Sequence, residues 1–146
     1  MVRRATHKDV ERLIQLFCSG ATGIGLTEDT CLPENHEKLR KWMLDKCTRS
    51  LVWVMSEQIQ LIGMLVLGQF DARIEIAYVV VAEALRGQRR VGPALVEHIQ
   101  SLPHVNWLWA EARNEHSLKL LERCGFRRTA DEHRKYPALD WEHPVH

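Results

Sequence analysis

Three arginines and two glycines lie close together in one short stretch of the chain, Arg86-Gly87-Gln88-Arg89-Arg90-Val91-Gly92-Pro93. An apolar run at 74–81 ends before this stretch, and an apolar-periodic run at 94–102 begins after it. The pattern predicts a strand, a basic turn and a helix, with Pro93 at the first helical position, where its missing N–H costs nothing. Open N–H groups, the helix dipole and arginine charges favour an anion, and glycines allow close backbone approach. This chemistry is the binding of a diphosphate.

Two familiar nucleotide-binding motifs do not match this turn. A P-loop would need Gly-x-x-x-x-Gly-Lys-Ser/Thr. A dinucleotide-binding fold would need Gly-x-Gly-x-x-Gly near the first strand, with an acidic residue roughly 20 residues further on. Neither pattern is present. A basic turn that is merely solvated remains the alternative at this point.

The turn resembles motif A of the GNAT superfamily of N-acetyltransferases, in which Arg/Gln-x-x-Gly-x-Gly/Ala binds the pyrophosphate of coenzyme A. Residues 81–87 match the approach to that motif, and residues 91–95 match its helix start. The sequence departs from the family between these two segments. Arg90 stands where the family has its middle glycine, and the loop that begins at Arg86 is one residue longer than usual.

A second stretch, 114–126, resembles motif B of the same family. Asn114, Ser117, Gly125 and Phe126 lie at the family spacing. An ordinary helix that ends at a glycine would explain Gly125, but it would not explain the other three. Two motifs in the family's order therefore identify the chain as similar to the GNAT acetyltransferases, and the resemblance extends loosely over the whole chain.

The resemblance implies that acetyl-CoA is the co-substrate. In the family, main-chain groups at the end of the motif A strand bind the thioester carbonyl and the pantetheine arm, and the turn and motif B bind the rest of the coenzyme. Carried over, the coenzyme-binding residues are Val79, Val80, Val81, Arg86, Gly87, Gln88, Arg89, Arg90, Val91, Gly92, Pro93, Asn114 and Ser117.

Transfer of an acetyl group to an amine also needs a base. A lysine-like amine has a pKa of about 10.4, so presenting it neutral at pH 7 costs roughly 4–5 kcal/mol. Glu75 lies in an otherwise apolar strand, where a carboxylate is expected to be partly desolvated and therefore more basic. The stretch 74–78 resembles the Glu-Ile-x-Phe/Tyr strand of histone-type members, whose glutamate is the general base. Glu75 could instead face solvent, and Glu83 and Glu111 are weaker candidates.

The family's usual general acid is a tyrosine four residues before the motif B glycine. Leu121 occupies that position here and cannot donate a proton. Tyr78, Cys124, His116 and Tyr136 are possible substitutes, but none matches the family by spacing. The sequence thus predicts a base more clearly than an acid.

The elements around these motifs follow the family's order. A short strand at 2–5 precedes a capping pattern at Thr6 and Asp9, and the first helix places Val10, Leu13, Ile14 and Phe17 at core-facing spacing. A long loop at 20–33 and a second helix at 34–46 follow, with Leu39, Trp42 and Met43 on the buried face. In the family this region covers the acceptor site; a plain connecting loop is the alternative.

The rest of the chain predicts alternating strands and helices. Strands are expected at 51–55, 61–67, 74–81, 105–112, 126–129 and 136–141, turns at 57–60 and 68–73, and helices at 94–102 and 115–124. Apolar residues on both faces of the early strands indicate a sheet covered on both sides. We expect a single N-acetyltransferase-like domain over residues 1–146. Its fold class is α/β (α+β), GNAT-like, with a mixed, mostly antiparallel central sheet of six to seven strands flanked by about four helices.

The composition limits the classes of protein to which the chain can belong. The chain has 146 residues, 45% hydrophobic and 27% charged, and a formal net charge of +1, which does not favour a nucleic-acid or membrane surface. No transmembrane run or signal peptide is apparent. Four cysteines lie at 18, 31, 47 and 124 and eight histidines are scattered, so we expect no metal site, reduced thiols and a cytoplasmic protein. We expect a monomer or homodimer.

Two functions follow from these expectations. The first is an N-acetyltransferase that transfers the acetyl group of acetyl-CoA to a primary amine of a small molecule, peptide or protein; Glu75 favours it. The second is a non-catalytic acyl-CoA-binding or interaction protein on the same scaffold, which Leu121 and Arg90 favour. Acidic residues in the presumed acceptor loop, Glu28, Asp29 and Glu34, hint at a cationic amine.

Overall fold

The computed structural model describes residues 1–19, 29–70, 73–87, 90–129 and 135–144. These residues form seven strands and four α-helices. The strands are β1 (Val2–Arg4), β2 (Val52–Glu57), β3 (Gln60–Phe70), β4 (Arg73–Val81), β5 (Trp107–Glu111), β6 (Arg127–Arg128) and β7 (Ala138–Glu142). The helices are α1 (Val10–Ser19), α2 (His36–Thr48), α3 (Val91–Gln100) and α4 (Glu115–Arg123).

The strands form one sheet in the order β1-β2-β3-β4-β5-β7-β6. β4 and β5 pair in parallel, and the other neighbouring strands pair antiparallel. The expected fold class, a mixed and mostly antiparallel sheet with about four helices, is confirmed.

Each face of the sheet is covered by its own pair of helices. On one face, Phe17 of α1 and Met43 of α2 pack with Val66 of β3 in one buried cluster. On the other face, Leu95 of α3 and Leu118 of α4 lie in a second cluster. The alternating side chains of the central strands supply both clusters, as the apolar residues on both strand faces predicted.

The first helix begins where the capping pattern predicted. Thr6 and Asp9 form a capping box around a short 3-10 turn, His7–Asp9, which leads into α1. Asp9 is 2% exposed, and its carboxylate accepts hydrogen bonds from Arg3 at 2.9 and 3.0 Å and from Arg12 at 2.9 Å. This network ties β1 to the start of α1.

Most predicted element ends differ from the observed ones by one to three residues, and two of these differences bear on the site. β3 continues through Phe70, because its last residues pair with the start of β4, so residues 68–70 are strand rather than turn. α3 begins at Val91, so Pro93 is the third helical residue and not the first. The missing N–H of Pro93 still costs little, because N–H groups in the first turn have no intrahelical partner.

The cysteines also correct an expectation. Cys18 and Cys31 form a disulfide, with Cα atoms 5.7 Å apart, so the expectation of four reduced thiols is wrong for this pair. Both cysteines pack against the cluster that α1 and α2 share, and this proximity is not visible in their spacing along the chain. Cys47 and Cys124 are free and buried, and burial raises the pKa of each thiol to about 11.

None of the helices in the described part of the chain has the length and apolar content that crossing a membrane requires.

Candidate functional site

The parallel strands β4 and β5 separate soon after they meet. They pair only at Glu75 with Trp109 and at Ile76 with Ala110. On its other edge, β4 remains paired with β3 through Val81. Beyond Ile76, the β5-facing edge of β4 therefore has no strand partner among the described residues, and a cleft opens there.

A β-bulge at Ala77 lies at the start of this opening. The register between β3 and β4 shifts because Val66 pairs with Tyr78 while Leu67 pairs with Ile76, which leaves Ala77 unmatched. A bulge bends its strand and increases the local twist. It also changes which face receives each side chain: Ile76 belongs to the cluster under α3 and α4, whereas Tyr78 packs against the opposite cluster.

The opening forms a cleft of about 360 Å³ between β4, the start of α3 and α4. Most of the residues that the sequence predicted for the coenzyme line it, together with the predicted base. They are Glu75, Val79, Val80, Val81, Arg86, Gly87, Gly92, Pro93, Asn114 and Ser117. Gln88 and Arg89 lie outside the described residues.

The start of α3 borders this cleft at Gly92 and Pro93, and the first N–H groups of a helix have no intrahelical partner. Arg90 is the N-cap residue and makes no side-chain capping bond. Its guanidinium instead lies 2.8 Å from Glu57 on the β2–β3 hairpin, and this contact lowers the pKa of the Glu57 carboxyl. Val91 is fully buried beneath the helix. Neither the Arg90 nor the Val91 side chain is part of the cleft wall, although both were predicted coenzyme residues.

Gly87 and Gly92 differ in what the turn requires of them. Gly87 has φ +87°, which a side chain would strain. Gly92 is buried, and an added Cβ would lie 3.4 Å from the Leu120 side chain of α4, an ordinary van der Waals distance. The turn therefore requires a glycine at the first position for its backbone conformation, whereas the packing of α3 on α4 does not require one at the second.

Each of the four residues that mark motif B has a local structural role. The Asn114 side-chain oxygen accepts a hydrogen bond of 2.7 Å from the Ser117 N–H, so Asn114 is the N-cap of α4. Gly125 has φ +90°, and the Phe126 N–H donates to the Leu121 carbonyl at 3.0 Å, as in a Schellman C-cap. Phe126 is then buried in the core.

Glu75 is half-buried at the point where β4 and β5 part, opposite Gly68 on β3 and Trp109 on β5. Strand alternation places it on the sheet face opposite Ile76, and the bulge brings Tyr78 to that same face. Tyr78 also lines the cleft, and its ring packs edge-on against Phe17 at 5.1 Å. One carboxylate and one phenol thus lie along the same opening.

The other candidate acids and bases are placed differently. Glu111 and His116 line the cleft, whereas Glu83 and Tyr136 are not part of its wall. Cys124 is buried in the core with a pKa raised to about 11 by that burial, so it is a poor proton donor near neutral pH.

Leu121, at the family's tyrosine position, also borders the cleft. It is 4% exposed and belongs to the apolar cluster beneath α3 and α4. The side chain that replaces the tyrosine therefore completes the core instead of offering a proton.

Three cations of the cleft wall were missed from the sequence, Arg113, Lys119 and Arg123. With Arg86 they make the cleft predominantly positive, against the carboxylates of Glu75 and Glu111. Lys119 and Arg123 are four residues apart on α4, so their helical spacing within motif B was a signal that could have revealed them. A positive rim above an apolar strand suits a ligand with phosphates at one end and an apolar arm.

Residues 23–126 match the model of the Acetyltransferase (GNAT) family. The chain therefore belongs to the GNAT acetyltransferases, as motifs A and B indicated. No protein among the curated ones has a matching sequence.

Solved structures share the fold along nearly the whole chain. The PaiA N-acetyltransferase of Thermoplasma acidophilum, in complex with coenzyme A, has a TM-score of 0.77 and 16% identity, over 97% of this chain and 98% of that one. The putative acetyltransferase YncA of Salmonella typhimurium, with acetyl-CoA, has a TM-score of 0.73 and 18% identity, over 100% of this chain and 95% of that one. Ribosomal-protein-alanine N-acetyltransferase of Brucella melitensis has a TM-score of 0.68 and 22% identity, over 96% of each chain. At these identities the similarity establishes the fold.

Proposed function

We propose that this protein is an acetyl-CoA-dependent N-acetyltransferase that acylates a primary amine of a small molecule, peptide or protein. The observation that carries the proposal is the cleft where β4 parts from β5. It joins an open strand edge, the start of a helix and a half-buried carboxylate, Glu75, in one place.

The residues of the cleft fit coenzyme A part by part. The open N–H groups at the start of α3, with Gly87 and Arg86, suit the pyrophosphate. The edge of β4 at Val79, Val80 and Val81, which has no strand partner on the β5 side among the described residues, can hydrogen-bond an extended amide-bearing arm as a missing strand would. Asn114 and Ser117 border the opposite side. When bound, acetyl-CoA supplies the activated thioester.

Within this arrangement, Glu75 accepts the proton of the attacking amine, directly or through one water. Main-chain N–H groups at the end of β4 stabilise the negative charge that develops on the acyl oxygen. A fixed N–H donor in such a place is worth about 3 kcal/mol in other enzymes. The sulfur of coenzyme A leaves as its thiolate.

Leu121 favours a second candidate function, a non-catalytic acyl-CoA-binding protein. It replaces the proton donor of the family with an apolar core residue. A thiol with a pKa of about 8.5 can leave as its thiolate, however, so the loss of this donor does not by itself abolish transfer.

Thermal melting with and without acetyl-CoA tests the coenzyme assignment. At about 100 times its dissociation constant, a ligand adds roughly 2.7 kcal/mol to the free energy of unfolding. For a domain of this size we expect the melting temperature to rise by several degrees. NAD and ATP, as controls, should raise it much less. No shift with saturating acetyl-CoA would overturn the assignment.

Release of free thiol from acetyl-CoA in the presence of an amine panel tests catalysis. The panel should hold small amines, peptides with free N-termini, and lysine peptides with blocked N-termini. Amine-dependent thiol release above the protein-free rate supports the enzyme. A clear thermal shift without thiol release for any of these acceptors would favour the non-catalytic protein.

A further inference from the structure

The Arg86 side chain joins two parts of the molecule that are far apart in sequence. Its Nη2 donates a hydrogen bond of 2.9 Å to the carbonyl of Ser19, the last residue of α1. Its Nε donates one of 3.2 Å to the carbonyl of Val81, the last residue of β4. The next residue, Gly87, begins the turn that leads to α3. The guanidinium thus bridges α1, β4 and the turn at the coenzyme cleft.

The end of α1 has a physical need for such a partner. The last carbonyls of a helix have no intrahelical donor, and a cation near them is favourable. α1 has no basic residue in its own last turn. Arg86 supplies this cation from a distance of 67 residues along the chain.

We propose that Arg86 is a positioning residue that ties the C-terminal end of α1 to the coenzyme turn, so that an anion bound at the turn also orders α1. An arginine has five N–H donors, and the two carbonyls leave donors free for a phosphate. The part of this inference that concerns the coenzyme rests on the proposed function.

The end of α1 also packs against a residue of the cleft wall. Phe17 packs on Tyr78 at a ring distance of 5.1 Å, and Tyr78 lines the cleft. If the end of α1 loosened, the cleft residue Tyr78 would therefore lose a packing partner. The order of the Tyr78 side chain would then depend on whether the coenzyme occupies the turn at Gly87.

Hydrogen exchange in the coenzyme-free protein tests the tether. We expect amides in the last turn of α1, residues 16–19, to exchange several-fold faster in Arg86→Gln than in the wild type, because local opening governs their protection. Arg90→Gln is the matched control, since it removes the same charge from the same turn but its partner is Glu57. The Cys18–Cys31 disulfide must be intact in all three proteins. Equal rates in all three would overturn the proposal.

Addition of coenzyme A tests the coupling. We expect saturating coenzyme A to slow exchange in residues 16–19 of the wild type and of Arg90→Gln, but not of Arg86→Gln at its own saturating concentration. An equal response in Arg86→Gln would overturn the coupling. If coenzyme A does not raise the melting temperature of the wild type, the proposed function fails. The comparison of exchange rates without coenzyme then still tests whether Arg86 holds the end of α1.

Discussion

Among the described residues, two carboxylates line the cleft, and Glu75 is the one at the point where the strands part. If it deprotonates the amine, Glu75→Gln keeps the shape, removes the base, and lowers turnover by about 100-fold or more near pH 7. The defect should shrink at high pH, where the amine is already neutral. Steady-state rates with a slow acceptor measure this, because chemistry must limit the rate.

Glu111→Gln is the control for this prediction. Glu111 borders the same cleft but pairs loosely with Arg113 at 3.8 Å. We expect its replacement to cost much less turnover, and coenzyme affinity to be almost unchanged in Glu75→Gln. Wild-type turnover in Glu75→Gln, or a larger loss in Glu111→Gln, would remove Glu75 from the role.

Leu121 leads to a prediction about the pH profile. Without a tyrosine acid, the rate should rise with pH through the pKa of the base and then stay level through about pH 9 to 10, where a tyrosine would titrate. The profile should be measured with a slow acceptor. The ring of Tyr78 lies along the cleft, so it is the tyrosine to check first, with Tyr136 second.

A descending limb near that pH, abolished by Tyr78→Phe or Tyr136→Phe, would mean that a displaced tyrosine is the general acid. A flat limb that is unchanged in both variants supports thiolate departure without a protein acid.

At the scale of elements, the position of α3 depends on Gly63 of β3, a residue that no motif marks. A Cβ added there would lie 2.5 Å from Cγ1 of Val91, the first residue of α3. Val91 is fully buried and its β-branched side chain is stiff, so Gly63→Ala should push the start of α3 from the sheet. We expect a loss of about 1–3 kcal/mol in the free energy of unfolding and weaker coenzyme binding, measured by denaturant unfolding and titration.

The double variant Gly63→Ala with Val91→Ala is the matched control. It removes the clashing methyl, so the start of α3 should return and coenzyme affinity should recover relative to the single variant. No recovery, or wild-type stability in Gly63→Ala, would contradict the close packing of α3 on β3.

At the scale of the whole molecule, Asp9 contributes to resistance against acid. Hydrogen bonds from Arg3 lower its pKa from 3.8 to about 2, against the opposing effect of its burial, with further help from the Thr6 N–H and Arg12. A lowered folded-state pKa stabilises the fold above pH 4, and this contribution is lost as the pH falls from about 4 to about 2. At about 1.4 kcal/mol per pKa unit, the contribution is about 2 kcal/mol.

Asp9→Asn should therefore lower the free energy of unfolding at pH 7 by about 2 kcal/mol and flatten its dependence on pH between about 4 and 2. Asp45→Asn is the control, because Asp45 is an exposed acid whose contact with Arg49 is 3.7 Å long, and such pairs contribute at most about 1 kcal/mol. Equal losses in the two variants, measured by denaturant unfolding across pH, would contradict a special role for Asp9.

Features that depend on neighbours along the chain were predictable from the sequence. The capping box at Thr6 and Asp9, the Gly-Phe ending of α4 and the core-facing side of α1 all appear as expected. Each follows from backbone geometry or helical periodicity over a few residues. The glycine-bearing turn and motif B were sufficient to indicate the GNAT family, because both are short local patterns.

Tertiary structure decided the features that join distant residues. The sequence did not reveal the Cys18–Cys31 disulfide, the bulge at Ala77, or the partners of Arg86 and Arg90, because each depends on which segments meet in space. The same reason explains why β3 runs into the predicted turn: its last residues are strand only because β4 pairs with them. The sequence by itself indicated a basic turn and a glutamate that could bind an anion and a proton. The separation of β4 from β5 placed them at one cleft, together with Arg113, Lys119 and Arg123, which sequence reasoning had missed.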